Sequence, residues 1–334
     1  MKIQLLAILC TFAINNIALA EDEKTRLKAM AAEMESVFTR KGSNETYFAE
    51  NCPKHFAFWQ QAAQHGQPIA QTLLAECYGY GKGVAKDGAQ FVTWIRKAAE
   101  LGYAQAQTLL GLMYAEGNGV AKDEAQAAAL WRKAAEQGDA RAQVSLGVAY
   151  ARGIGITKDE AQSVAWFRKA ADQGNAGAQF NLAAAYAVGL GIAKDEAQAV
   201  IWYRKAAEQG VALAQYNLGA MYAKGIGVAK DEAQAVAWHR KAAEQGVALA
   251  QYSLGYMYAT GKGAAKDEAQ AFAWWRKAAE QGYARAQSNL GVAYAIGLGI
   301  AKDEAQAVLW LRKAAEQGDA VALDALTQLS KLPK

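Results

Sequence analysis

The sequence is short of several features on which common protein functions depend. Its 334 residues include only three histidines, three cysteines and three prolines, and the histidines do not have the spacing of metal ligands. The formal net charge is only +4, and the basic residues are spread evenly along the chain. Nucleic-acid binding needs a dense basic surface, because affinity comes largely from neutralising phosphates. We therefore expect neither a metal site nor a nucleic-acid partner.

Long apolar runs are also missing, except near the N-terminus. An apolar stretch follows Lys2 and ends at Ala18–Ala20, which is the order of a basic start, an apolar middle and a small-x-small cleavage site. The stretch is too short to cross a bilayer. The alternative is a lipoprotein signal at Cys10, which the bulky Leu9 disfavours. We predict a secretory signal over residues 1–20, cleaved after Ala20, and a periplasmic or secreted protein without a membrane span.

What the chain does contain is a repeat of 36 residues. A period of this size is typical of a solenoid, in which each unit is too small to bury its own apolar face and stacks on its neighbours. We predict an all-α solenoid of about eight helical hairpins over residues 51–334, the first one divergent and the last one acting as a cap. The plainest marker of the period is a recurring glycine: Gly66, Gly102, Gly138, Gly174, Gly210, Gly246, Gly282 and Gly318.

Each repeat is predicted to form two helices. Asp195, followed three residues later by a glutamine, has the spacing of an N-cap with its capping-box partner, so helix A begins there. Gly210 can adopt the left-handed conformation that ends a helix. Helix B then covers about residues 212–223, and the glycines Gly225 and Gly227 form the turn to the next hairpin.

Helix A carries two adjacent columns of large residues. The first is predicted to lie in the core, because its identity is nearly fixed: Trp94, Leu130, Trp166, Trp202, Trp238, Trp274 and Trp310. The second column, one residue later, varies between repeats: Ile95, Trp131, Phe167, Tyr203, His239, Trp275 and Leu311.

Two interpretations of the second column are open. Its residues either pack between adjacent hairpins or form a row of anchors for an extended peptide, since aromatic side chains dominate many binding interfaces. We treat the column as the candidate partner-binding surface, and complete burial would exclude that role. The Arg-Lys pair that follows the column, as in Arg96-Lys97, is expected to pair with nearby acids on a solvated face. The alternative is a basic stripe that binds acidic peptides or glycan carboxylates.

Catalytic motifs are absent. The chain has no Gly-x-Ser-x-Gly for a serine nucleophile and no His-Glu-x-x-His for a zinc protease. Its Gly-x-Gly links lack the spacing of a phosphate-binding loop. Carboxylates are numerous but recur in every repeat, as caps and solvated faces do, whereas an active site would occur once. We expect no catalytic residue, no cofactor and no metal.

The repeat resembles the Sel1-like repeat, a relative of the tetratricopeptide repeat. The resemblance rests on motifs such as Arg204–Gly210 and Asn217–Tyr222, which recur in register over about residues 52–330. It implies a right-handed superhelix of helix pairs that acts as an adaptor for other proteins, often in bacterial envelopes, secretion or host contact. Some exported, cysteine-rich relatives have been described as penicillin-binding or β-lactamase-like, but this chain has few cysteines and lacks Ser-x-x-Lys and Lys-Thr-Gly.

Cys52 and Cys77 lie in the first and least regular repeat. Shifted by one period they fall at Gly88 and Met113, which are neighbouring places at the start and end of one hairpin. Export would place them in an oxidising compartment, so we predict a disulfide, worth about 3 kcal/mol on the chain-entropy estimate. The alternatives are a pair of buried thiols or a metal site that uses His55.

Residues 21–50 are predicted to hold a capping helix and a linker. The helix is amphipathic and covers the first hairpin, with its apolar residues at Leu27, Met30, Met34, Val37 and Phe38. The sequence as a whole predicts an exported, monomeric, non-catalytic scaffold that binds a protein or peptide through the concave helix A face. The alternative is an envelope hydrolase or a β-lactam- or peptidoglycan-binding protein of the cysteine-rich Sel1 type.

Overall fold

The computed structural model describes residues 22, 24–29, 32 and 44–330. The predicted signal peptide lies outside them. The chain divides into two compact units, residues 1–166 and residues 167–334, and all regular structure in the described residues is helical. The predicted all-α repeat class is confirmed.

The N-terminal unit contains helical residues at 22, 24–29 and 32 and then six complete helices. These are α1 (Asn44–Gln64), α2 (Pro68–Tyr80), α3 (Gly88–Glu100), α4 (Ala104–Glu116), α5 (Glu124–Glu136) and α6 (Ala140–Arg152). The next helix, α7 (Glu160–Asp172), contains the boundary between the units.

The C-terminal unit continues the alternation. Its complete helices are α8 (Ala176–Val188), α9 (Glu196–Glu208), α10 (Ala212–Lys224), α11 (Glu232–Glu244), α12 (Ala248–Thr260), α13 (Glu268–Glu280), α14 (Ala284–Ile296), α15 (Glu304–Glu316) and α16 (Ala320–Ser330). Odd-numbered helices are the predicted A helices, and even-numbered helices are the B helices.

The A helices begin at the predicted N-caps. The Asp195 carboxylate accepts a hydrogen bond from the backbone N–H of Gln198 at 2.9 Å, which satisfies one of the orphan donors of the first turn. The backbone N–H of Asp195 donates to the carbonyl of Tyr186 at 3.0 Å. The reciprocal bond of a capping box would have used that same N–H. The side-chain bond of the cap is therefore as predicted. The reciprocal bond to Gln198 is replaced by the bond from the Asp195 N–H to the Tyr186 carbonyl of the preceding B helix.

Glycine is required at two kinds of turn. Gly210 has φ +90° at the end of α9, as predicted for the residue that closes helix A. Gly227, the second glycine of the link, has φ +66°, and a Cβ built there would lie 2.2 Å from the carbonyl oxygen of Glu196. Since no side chain fits at that distance, this glycine lets the link pass close to the N-terminus of α9.

The first hairpin is longer than the others. Its helix α1 starts at Asn44, so the predicted domain boundary at residue 51 lies inside a helix and Cys52 lies in its middle. The structure contains the Cys52–Cys77 disulfide that the sequence predicts. Leu27 is 1 % exposed and packs into the core of this hairpin, as expected of the capping helix. The other predicted capping residues lie outside the described residues.

Buried glutamines tie the hairpins together. Gln215 on α10 donates from its side-chain amide to the carbonyl of Ala207 on α9 at 3.0 Å. Its side-chain oxygen accepts from the amide of Gln245, at the end of α11, at 2.8 Å. One buried side chain thus links helix A and helix B of its own hairpin and reaches helix A of the next. Sequence reasoning did not assign this role to the fixed glutamine of helix B.

Candidate partner-binding face

The second column of helix A is buried, so the prediction that it forms a partner-binding surface is wrong. Its seven side chains are between 0 % and 7 % exposed. The residues are Ile95, Trp131, Phe167, Tyr203, His239, Trp275 and Leu311. This is the outcome expected if the column packs between adjacent hairpins.

The physical reason for this burial is a small residue on the preceding B helix. A Cβ built on Gly111 would lie 2.6 Å from the indole nitrogen of Trp131, and one built on Gly255 would lie 2.5 Å from the Trp275 ring. The glycine therefore makes room for a large side chain that enters from the next A helix. The side chains of the column differ in size, and at Ile95 the smaller side chain is matched by Ala75 in place of the glycine.

His239 shows what burial does to a polar member of this column. Its ring is 3 % exposed, lies against Gly219 and stands 5.4 Å from the Tyr216 ring, measured between centroids. Burial lowers the pKa of His239 to about 4, and its Nδ1 has no hydrogen-bond partner within the described structure. The imidazole is therefore neutral at pH 7 and belongs to the core.

The tryptophan column, predicted to lie in the core, lies at the edge of the core. Trp202 is only partly buried, and it packs on the core cluster of its own unit while the ammonium of Lys205 lies 4.0 Å from its ring centroid. Four further tryptophans have the same lysine over the ring: Trp94 with Lys97 at 4.3 Å, Trp238 with Lys241 at 4.2 Å, Trp274 with Lys277 at 4.1 Å and Trp310 with Lys313 at 4.3 Å.

Arginines occupy the other flank of the A helices, because residues two apart point away from each other on a helix. The guanidinium of Arg204 donates to the hydroxyl of Tyr222 on α10 and lies 5.8 Å from its ring. The pairing predicted between these cations and nearby acids is found at Arg276, which bonds Glu280 at 2.8 Å. Equivalent arginine–tyrosine bonds join Arg132 to Tyr150, Arg168 to Tyr186 and Arg240 to Tyr258.

On each of the two units, we call this surface the A-helix face: the partly buried tryptophan column, the lysines stacked on it and the arginines bonded to tyrosine. It is aromatic, cationic and open to solvent, since the lysines and arginines are exposed. Each cation–π contact at such a site is worth about 0.5–1 kcal/mol. A partner with carboxylates or aromatic rings could replace these contacts at little cost.

Cavities adjoin the helices at several places in the described part of the chain. One of about 510 Å³ lies beside Glu76 and Phe91, and burial raises the pKa of Glu76 to about 7 while Arg141 partly opposes that rise. One of about 480 Å³ opens on the A-helix face at Leu130. A third, of about 420 Å³, is lined by His239 and three tyrosines of the B helices.

No set of three or more histidine, cysteine or acidic side chains stands ready to hold a metal ion in the part of the chain that the structure describes. Among the helices described here, none combines the length and the apolar character needed to cross a bilayer.

Comparison with known proteins identifies the repeat. The family model described as the Sel1 repeat matches seven consecutive segments: 68–103, 104–139, 140–175, 176–211, 212–247, 248–283 and 284–319. Each segment begins with a B helix and ends after the next A helix, so the family's unit is offset by half a hairpin from the A–B pairing inferred from sequence. No curated protein matches the chain.

Two solved structures are similar over most of the chain. A protective antigen of uropathogenic Escherichia coli that displays an SLR fold is 41% identical, with a TM-score of 0.78, over 82% of this chain and 58% of the antigen. The present chain therefore spans less than two thirds of that protein. A Sel1 repeat protein from Oxalobacter formigenes is 34% identical, with a TM-score of 0.65, over 90% of this chain and 89% of its own.

Proposed function

Because this chain belongs to the Sel1 repeat family, whose members commonly act as protein-interaction scaffolds, we propose that it is an exported, non-catalytic scaffold. It binds one or more protein or peptide partners through the A-helix face, as a monomer. The observation that carries the proposal is the row of partly exposed tryptophans, each covered on its outer side by a lysine.

The chemistry of this face favours partners with acidic and aromatic side chains. One surface of each indole packs on the core, so the ring is already ordered in the folded protein. A partner that contacts the other surface therefore has no further entropy cost for ordering the ring. Tryptophan and arginine are also the residue types most enriched among side chains that dominate binding energy. The face repeats every 36 residues, which suits an extended segment better than a compact ligand.

Export is supported by the disulfide and by the N-terminal sequence. Disulfides persist in oxidising compartments, and Cys52–Cys77 closes the first hairpin. A signal peptide cleaved after Ala20 would deliver the protein to the periplasm or beyond. N-terminal sequencing of the protein purified from a bacterial envelope fraction tests this, because a chain that retains residue 1 would contradict cleavage.

The binding face is tested by charge reversal. We expect the triple variant Lys205→Glu, Lys241→Glu and Lys277→Glu to lose most partner capture from an envelope extract, measured by pull-down and mass spectrometry. These lysines are exposed, so the fold should survive the change.

A matched control changes the net charge by the same amount at another place. Lys194, Lys230 and Lys266 lie in the links, each paired with a glutamate at 2.7 Å, and their reversal to glutamate should leave capture unchanged. Equal loss in both triple variants would mean that only overall charge matters. Capture that persists in the first variant would reject the A-helix face.

A further inference from the structure

The tryptophan column has one interruption, at Leu130 on α5. The side chain of Leu130 is partly buried and lines the cavity of about 480 Å³ that opens between α3 and α5. Leu110 and Tyr114 of α4 also line it. A cavity of this volume falls within the range of ordinary ligand pockets. The smaller leucine leaves open a place that an indole occupies in six other repeats.

The cations around this cavity have also lost their usual partners. In five other repeats the equivalent lysine stacks on tryptophan, as Lys241 does on Trp238, but Lys133 has only Leu130 at that position. Four other arginines bond a tyrosine eighteen residues on. In the structure described here, neither Arg96 nor Lys133 makes such a contact through its side chain.

We propose that this cavity, the Leu130 slot, receives an aromatic side chain from an extended segment of a partner protein, next to a carboxylate of that segment. The ring would occupy the place of the missing indole, with Leu110 and Leu130 beneath it and Lys133 stacked above. The neighbouring carboxylate would bind Arg96 or Lys133, whose combined charge exceeds that of Glu100 on the rim. The inference rests on the proposed scaffold function and locates one anchor point of its binding face.

The regular repeats indicate which occupant fits this cavity. At Trp238 the ring packs against the cluster that contains Leu218 and Tyr222, which correspond to Leu110 and Tyr114. The same apolar floor and the same lysine therefore already bind an indole within this chain. A partner that offers an indole or phenyl ring would make contacts whose geometry the protein demonstrates at five tryptophans.

The probe is a short capped peptide, acetyl-Asp-Gly-Trp-Gly-Asp-amide, that carries 5-fluorotryptophan. Fluorine NMR observes the peptide alone, so the nine tryptophans of the protein do not interfere. We expect a saturable shift with one site per chain in the wild-type protein. The same peptide with alanine and a fluorinated N-terminal cap should not bind, and a version with lysine in place of aspartate should bind about tenfold more weakly.

Two variants provide the decisive comparison. Leu130→Trp restores the repeat, so it should fold normally, and it should weaken peptide binding by about tenfold or more. Trp238→Leu reproduces the interruption in another repeat and should raise the number of sites from one to two. Thermal melts of both variants confirm that the fold is retained.

Unchanged binding by Leu130→Trp, binding of the alanine peptide at equal strength, or no response of the wild type at millimolar peptide would each overturn the slot. If Leu130→Trp binds normally while the lysine triple variant loses partner capture, the slot fails and the scaffold stands. The opposite combination would reject the A-helix face as the surface that captures partners and leave the slot as a separate binding site.

Discussion

The two units are built from the same hairpin but differ in how strictly they follow it. In the C-terminal unit each of the tryptophans at 202, 238, 274 and 310 carries its stacked lysine. The N-terminal unit has leucine at position 130, leucine at position 101 where other repeats have glutamine, and glycine at position 88 where they have glutamate.

These departures coincide with cavities and with the absence of side-chain contacts that the regular repeats make. The cavity of about 510 Å³ is lined by Gly88 and by Lys86, the lysine whose equivalents pair with the missing glutamate. The cavity of about 480 Å³ is lined by Leu130. The regular repeats thus show which contacts stabilise the hairpin. The departures show where this chain lacks one of those contacts. Positions of that second kind are where a specific function is best sought.

The largest expected difference between the units comes from the disulfide. Replacing Cys52 and Cys77 with alanine should lower the stability of the first hairpin by about 3 kcal/mol, because the cross-link restricts the unfolded chain. Hydrogen exchange read by mass spectrometry should show lost protection in α1 and α2. Protection of α12 to α15 should not change, since repeats interact mainly with their neighbours. A uniform loss across both units would contradict this.

The second difference concerns the glycine opposite the buried column. Gly255→Ala should destabilise the C-terminal unit by up to about 3 kcal/mol, because its Cβ would lie 2.5 Å from Trp275. The N-terminal unit already has alanine at the equivalent position, Ala75, with the smaller Ile95 opposite. The double variant Gly255→Ala, Trp275→Ile should recover much of the loss in chemical denaturation. A double variant no more stable than the single one would show that the two positions are not coupled.

Much of this architecture could be predicted from the sequence, because its causes are local. The period, the aspartate caps and the left-handed glycines each depend on a few adjacent residues. The Cys52–Cys77 disulfide also followed from the period, even though α1 begins earlier than expected. The hydrogen bond between Gln215 and Gln245 did not, since it depends on how the side chains of two successive hairpins are placed, which the repeat period does not determine.

The relative burial of the two columns of helix A was not predicted, because the variable column is the more deeply buried one, and the sequence held a signal that would have corrected this. Tyr203 lies four residues after Ala199 and three before Ala206, so all three share one apolar face. Trp202 has the same spacing from Gln198 and Lys205, which form a polar stripe. Adjacent residues on a helix point in directions about 100° apart, so the two columns have different surroundings. Identity that is fixed across repeats was taken to indicate burial. The spacing of apolar residues along the helix predicts the burial of the two columns better than their identity across repeats does.

The third difference is in pH dependence. Burial raises the pKa of Glu76 from 4.5 to about 7, so the N-terminal unit should lose stability as pH rises through that interval. Burial lowers the pKa of His239 from 6.5 to about 4, so the C-terminal unit should lose stability as pH falls from 6.5 towards 4. Each effect should be on the order of 2 kcal/mol.

Two variants separate these two opposite dependences of stability on pH. Glu76→Gln should remove the first, and His239→Phe, which copies Phe167 of another repeat, should remove the second. Hydrogen exchange between pH 4.5 and 7.5, corrected for the intrinsic rate, reports the stability of each unit. If either variant keeps the slope of the wild type, the named residue is not its source.

The smallest difference lies at Leu101. In the C-terminal unit the amides of Gln245 and Gln281 donate to buried glutamines on the B helices at 2.8 Å. Leu101 occupies the equivalent position, is 56 % exposed, and leaves the side-chain oxygen of Gln71 buried without a partner in the described structure. Leu101→Gln should therefore stabilise the N-terminal unit by about 1 kcal/mol, the usual net value of a hydrogen bond that satisfies a buried acceptor.

The reverse change provides the control for Leu101. Gln245→Leu should leave the oxygen of Gln215 without its donor and destabilise the C-terminal unit by about 1–3 kcal/mol, because an unsatisfied buried acceptor costs its desolvation. Both changes can be measured in urea. If Leu101→Gln gives no gain while Gln245→Leu is costly, then the Gln71 oxygen has another means of satisfaction and the first hairpin differs from the rest in more than sequence. A gain in stability for Leu101→Gln together with a loss for Gln245→Leu would show instead that the N-terminal unit has the backbone geometry of the C-terminal unit at this position and lacks only the glutamine side chain.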